Sequence, residues 1–148
     1  MKKTLTMFLL LTFLYGCSLQ SDIYPFEHKN EPIASVELLY YPWVNDADEE
    51  FMVFHTIRVL EPDEVEPFMN VLYDLPTKKA GPTPLSNYGA YIARVYYVNG
   101  DAEYFGSRHI ELVESGTKAY AVGVYYFPGD VFEELYFEYA GDISYLTE

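Results

Sequence analysis

Across 148 residues the chain has one cysteine, Cys17, and three histidines, His28, His55 and His109. A single sulfur forms no intramolecular disulfide and excludes the paired-cysteine zinc frameworks. The histidines do not fall at ligand spacing and no His-Glu-x-x-His helix occurs, so the sequence predicts no metal site and no cofactor. Positive charge is equally scarce. Nine Lys and Arg stand against 23 Asp and Glu, a formal charge of −14. A nucleic-acid partner needs a basic stripe to answer phosphate charge, so none is expected. Glycine-rich phosphate loops and the Gly-x-Ser-x-Gly elbow of serine hydrolases are absent. The N-terminal apolar run, Leu5 to Tyr15, has 11 residues. A helix that crosses a bilayer needs about 20.

What is present starts with that run. Lys2 and Lys3 precede it, and a short apolar core behind a positive start is the pattern of a secretory signal. The run ends in Leu14-Tyr15-Gly16-Cys17. This segment resembles the lipobox of bacterial lipoproteins: an aliphatic residue three before the cysteine, a small residue directly before it, then the cysteine. The resemblance covers residues 1–17. It implies cleavage between Gly16 and Cys17, a lipid carried on the Cys17 thiol, and an exported protein anchored to the cell membrane or the outer membrane. Without residues 1–16 the chain has 23 acids against 7 bases, a formal −16. Anionic headgroups repel such a domain. Lipid chains outweigh that repulsion, because each buried CH₂ contributes about 0.8 kcal/mol.

Residues 17–32 then read as the lipidated cysteine and a polar tether punctuated by Pro25 and Pro32; the alternative is that Ile23, Tyr24 and Phe26 dock onto the domain. Residues 33–148 read as a single α+β domain. Ile33–Trp43 and Phe51–Leu60 are strand-like, and both faces of the second are largely apolar, which predicts a central strand covered on both sides. Val65, Phe68, Met69, Leu72 and Leu75 recur at helical spacing. Asp63 with Glu66 predicts the N-terminal cap, with Pro67 in the first turn and Pro76 ending the helix. Thr77–Gly89 reads as a long loop. Asn99-Gly100 predicts a type I′ hairpin between Ala90–Val98 and Ala102–Gly106. Ile110–Val113 and Lys118–Val124 read as further strands. A last helix runs from Asp130, capped with Glu133, to Gly141. The order is ββα-ββββα: a mostly antiparallel sheet of five to six strands with two helices on one face.

The remaining anomaly is aromatic. The chain has 16 tyrosines, several doubled as Tyr40-Tyr41, Tyr96-Tyr97 and Tyr125-Tyr126. Strand neighbours point to opposite faces, so one ring of each pair builds the core and the other decorates the far face. Trp43, Arg94, Tyr96 and Tyr126 are the expected binding surface, with Arg94 paired to a carboxylate or stacked on a tyrosine. An envelope protein or a glycan is the partner such a surface fits. Asp46, Asp48 and Glu50 echo a calcium loop but lack its glycine and its bidentate acid, and read as a solvated turn. The expected function is therefore a non-enzymatic binding or interaction module of the cell envelope. The alternative is a small envelope hydrolase using His109 or His55 with nearby carboxylates.

Overall fold

In the computed structural model, which describes residues 23–41, 54–80, 89–115 and 125–143, the Asn99-Gly100 pair joins the two strands at the middle of the sheet. These are β4 (Tyr91–Tyr97) and β5 (Ala102–Gly106). The hairpin forms as the sequence predicts, but its turn is of another type. Gly100 has φ 97° and Asn99 does not share its positive φ. The Gly100 N–H donates to the Tyr97 carbonyl at 3.0 Å, and the Tyr97 N–H to the Asp101 carbonyl at 3.0 Å. This is a type I turn closed by a left-handed glycine, the three-residue hairpin, in place of the expected type I′ turn. The Asn99 side chain explains the difference: its Oδ1 accepts from the Asp101 N–H at 2.9 Å, a local bond that holds the chain in this turn.

Around this hairpin the remaining strands are β1 (Ile33–Tyr40), β2 (His55–Val59), β3 (Lys78–Lys79), β6 (His109–Val113) and β7 (Tyr125–Tyr126). They form one sheet in the order β2-β1-β4-β5-β6-β7-β3, with every pairing antiparallel. The fold is α+β, as expected, with a sheet of seven strands. Two strands fall outside the expected ranges: β7 comes directly after the expected Lys118–Val124, and β3 starts the segment read as a loop, where two residues are too few to carry a periodic signal. Among the described residues β2 pairs only with β1 and lies at the end of the sheet, not at its centre. Its apolar residues mislead because Val59 is 49% exposed. The expected strand at Lys118–Val124 lies outside the described residues.

Helix α1 spans Pro62–Asp74 and α2 spans Val131–Ala140. The cap of α1 is Glu61, two residues before the expected Asp63. Its N–H donates to Glu64 Oε2 at 3.0 Å, and Pro62 takes the first helical position. Pro67 therefore sits one turn further in than predicted. Asp130 precedes α2 without a side-chain cap bond, and Gly141, at φ 73°, closes it as the sequence predicts. Phe68, Met69 and Leu72 of α1 and Phe132, Leu135 and Tyr136 of α2 join Val36, Leu38, Ala93, Val95 and Phe105 in one buried cluster. Both helices thus cover the same face of the sheet.

The N-terminal arm covers that face too. Tyr24 is 6% exposed and belongs to the core, with Phe26 packed beside it. Residues 23–32 therefore dock, the second of the two sequence readings for this segment. The Tyr24 N–H donates to Thr77 Oγ1 at 2.8 Å. Its ring meets Phe105 and Tyr125 edge-on.

Candidate functional site

The pleat of the central hairpin builds two sites, one on each face. On the face away from α1 and α2, register aligns Glu37, Arg94, Tyr104 and Glu111 across four strands. Arg94 Nε donates to Glu37 Oε2 at 3.0 Å, and a second guanidinium nitrogen also bonds that oxygen. The Arg94 guanidinium lies 4.9 Å from the Tyr96 ring centroid and 5.9 Å from that of Tyr104. Burial works against the charge, but hydrogen bonds to Glu37 and Tyr104 hold the Arg94 pKa above its ordinary value. Both expectations for Arg94, a carboxylate partner and a tyrosine stack, are met at once. Tyr41, Phe54 and Tyr104 extend the aromatic strip, with centroids 5.8 and 6.3 Å apart.

The doublets split as predicted. Tyr97 is 2% exposed and Tyr125 8% exposed on the helix-covered face, leaving Tyr96 and Tyr126 to the other. Tyr40 packs toward Tyr91, which meets α2, while Tyr41 faces Phe54. Of the expected surface, Arg94 and Tyr96 come together. Tyr126 shares their face, but three strand spacings, about 14 Å, separate β7 from β4. Trp43, like Gly16 and Cys17, lies outside the described residues. The strip is not a bare surface, since Leu39 and Ile92 on the same side are fully buried.

The other face holds a carboxylate the sequence reading missed. Glu103 is 0% exposed. Its two oxygens accept from the Tyr24 and Tyr97 hydroxyls. Burial pushes the Glu103 carboxyl above its ordinary pKa, although both hydroxyls, which favour the charged form, pull the other way. The Tyr24 and Tyr97 hydroxyls are in turn pushed up, by burial first and by the adjacent carboxylate second. The observed turn pairs Val95 with Glu103, and Val95 belongs to an apolar stripe, so this register places Glu103 in the core; the expected type I′ register sets Glu103 opposite Tyr96, on the other face.

At the mouth of this site the arm meets the hairpin turn. His28 tilts over the Tyr97 ring with centroids 4.9 Å apart. Its Nδ1 is 3.0 Å from Glu31 Oε1. Asn99 Nδ2 donates to Glu31 Oε2 at 2.6 Å and to Asp101 Oδ2 at 2.7 Å. The Ser115 N–H donates to Asp101 Oδ1 at 2.6 Å. Among the described residues, His28, Glu31 and Asp101 form the one group of three potential ligand atoms, all within 4.8 Å of one another. Ligand spacing in sequence fails to find it because 70 residues separate Glu31 from Asp101.

His55 and His109 do not share a site. Their partners, Tyr40 and Gly106, place them on opposite faces, four strand spacings apart. His55 is exposed, whereas burial lowers the pKa of His109. No family model matches the chain, and no curated protein or solved structure matches it significantly. The fold and the two faces of its hairpin therefore define the protein: an antiparallel α+β domain with a docked N-terminal arm.

Proposed function

We propose that this chain is an exported lipoprotein of the cell envelope that works as a binding module and not as an enzyme. The observation that carries this reading is Gly16-Cys17 directly behind Lys2, Lys3 and an 11-residue apolar run. The docked arm supports it. Cys17 lies seven residues before Tyr24, so a lipid on its sulfur holds the domain within about 25 Å of the bilayer. The Arg94–Tyr96–Tyr104 strip is the surface offered to a partner; stacked rings around a guanidinium suit the planar and hydroxyl-rich groups of an envelope protein or a glycan.

Replacement of Cys17 by Ser tests the anchor. In the native host the wild-type protein should fractionate with membranes, and C17S should appear in the soluble envelope or the medium. Equal membrane association of C17S would contradict the reading.

A further inference from the structure

We propose that His28, Glu31 and Asp101 form a binding site for a divalent transition-metal cation, zinc or manganese, which fastens the N-terminal arm to the β4–β5 turn. The inference is independent of lipidation.

Three observations point to an ion. First, the His28 side chain is only 12% exposed. Its Nδ1 atom is buried and makes no hydrogen bond, although Glu31 Oε1 is 3.0 Å away. An imidazole nitrogen and a carboxylate oxygen at that distance have the spacing of two ligands of one centre. Ligand atoms about 2.1 Å from an ion lie about 3.0–3.5 Å from each other. Second, both carboxylates accept their hydrogen bonds from neutral donors, the Asn99 amide and the Ser115 N–H. Two acids so held gain more from a cation than from a further dipole. Third, the ligands are held from behind. Asn99 orients both carboxylates, the Ser115 N–H fixes the second oxygen of Asp101, and the Tyr97 ring sets the imidazole plane. Outer partners of this kind position ligands in metal sites.

The donor set selects the ion. One imidazole with two carboxylates suits zinc or manganese and leaves positions for water. Calcium prefers oxygen donors alone. Two ligands come from the arm and one from the turn, so an ion bound only by the folded chain also stabilises arm docking.

The test is calorimetric titration of the full chain in detergent with ZnCl₂, MnCl₂ and CaCl₂. One equivalent of Zn²⁺ or Mn²⁺ should bind. H28Q and D101N should each weaken it at least tenfold, N99A by about tenfold, and the H55A/H109A double variant by less than twofold. Because D101N also removes a turn contact, the wild-type protein supplies a second readout: Zn²⁺ should shift the ¹⁵N resonance of His28 Nδ1. Three results would overturn the proposal: no binding of either ion at 1 mM, a site insensitive to H28Q with the His28 resonance unmoved, or binding of Ca²⁺ alone.

Discussion

Glu103 and Tyr104 are neighbours in sequence, yet the pleat sends them into two environments that hold a carboxylate in opposite ways. On the helix-covered face, Glu103 is fully buried and answered by two neutral hydroxyls. On the other face, beside Tyr104, Glu37 keeps about a fifth of its side chain exposed and is answered by a guanidinium. The first arrangement raises the carboxyl pKa, because the two hydroxyls do not fully offset desolvation. The second favours two charges, each stabilising the other. One hairpin thus carries a structural acid that closes the arm onto the core and, on its other face, an ion pair set among rings.

The comparison breaks most strongly at Glu103. Glu103→Ala leaves two buried hydroxyls without a partner and opens a cavity, and should cost about 3 kcal/mol or more in chemical denaturation of the full chain in detergent. Glu103→Gln keeps the shape and hydrogen-bonding capacity, and should cost less than half as much. A loss for E103A no larger than for E103Q would show that the hydroxyls are indifferent to their partner.

Titration sharpens the same contrast. The folded-state pKa of Glu103 is raised above its unfolded value, so the folded protein binds the extra proton. The stabilising contribution is therefore present below the ordinary carboxyl range and is lost as pH rises through the folded pKa. Denaturation midpoints measured upward from pH 4.5 should fall for the wild type relative to E103Q.

Arg94→Ala comes next. It strips Glu37 of its partner in a partly solvated site and should cost about 1–2 kcal/mol. Arg94→Lys should recover part of this, because the ammonium keeps the charge but not the planar stack on Tyr96. Gly100→Ala should cost about 1 kcal/mol, since φ 97° strains any other residue and a Cβ there would stand 3.3 Å from Ser115 Oγ. His55→Ala, at an exposed position on the sheet edge, should shift stability by less than about 0.5 kcal/mol.

How far these two sites were legible in the sequence follows from what sets each of them. The ion pair on the open face was half visible: strand alternation placed Arg94 and Tyr96 together and called for a carboxylate, but not Glu37, because β1 meets β4 only through a pairing 57 residues apart. The split tyrosine doublets were visible, being a property of one strand at a time. Glu103 was hidden by the turn: the expected type I′ register sets it opposite Tyr96 on the other face, and the observed three-residue turn moves it opposite Val95 and into the core. The arm was ambiguous, since fifteen residues, mostly polar and with two prolines, fit a tether as well as a docked segment. What decided it was Tyr24 reaching Thr77 and Glu103, 53 and 79 residues away. The edge position of β2 was not legible because its apolar residues, Val59 among them, stay partly exposed, and sequence alone does not tell an exposed apolar residue from a covered one. The α1 cap shifted to Glu61 because Glu64 serves twice, capping the helix and pairing both oxygens with Arg58 at 2.7 Å.

The arm is where fold and proposed function meet, and the N-terminal peptide of the protein from its native host tests that meeting most directly. Mass spectrometry of this peptide should find a chain that begins at Cys17 with diacylglycerol on its sulfur. An unmodified Cys17 thiol, or a peptide that still carries residues 1–16, would contradict the account.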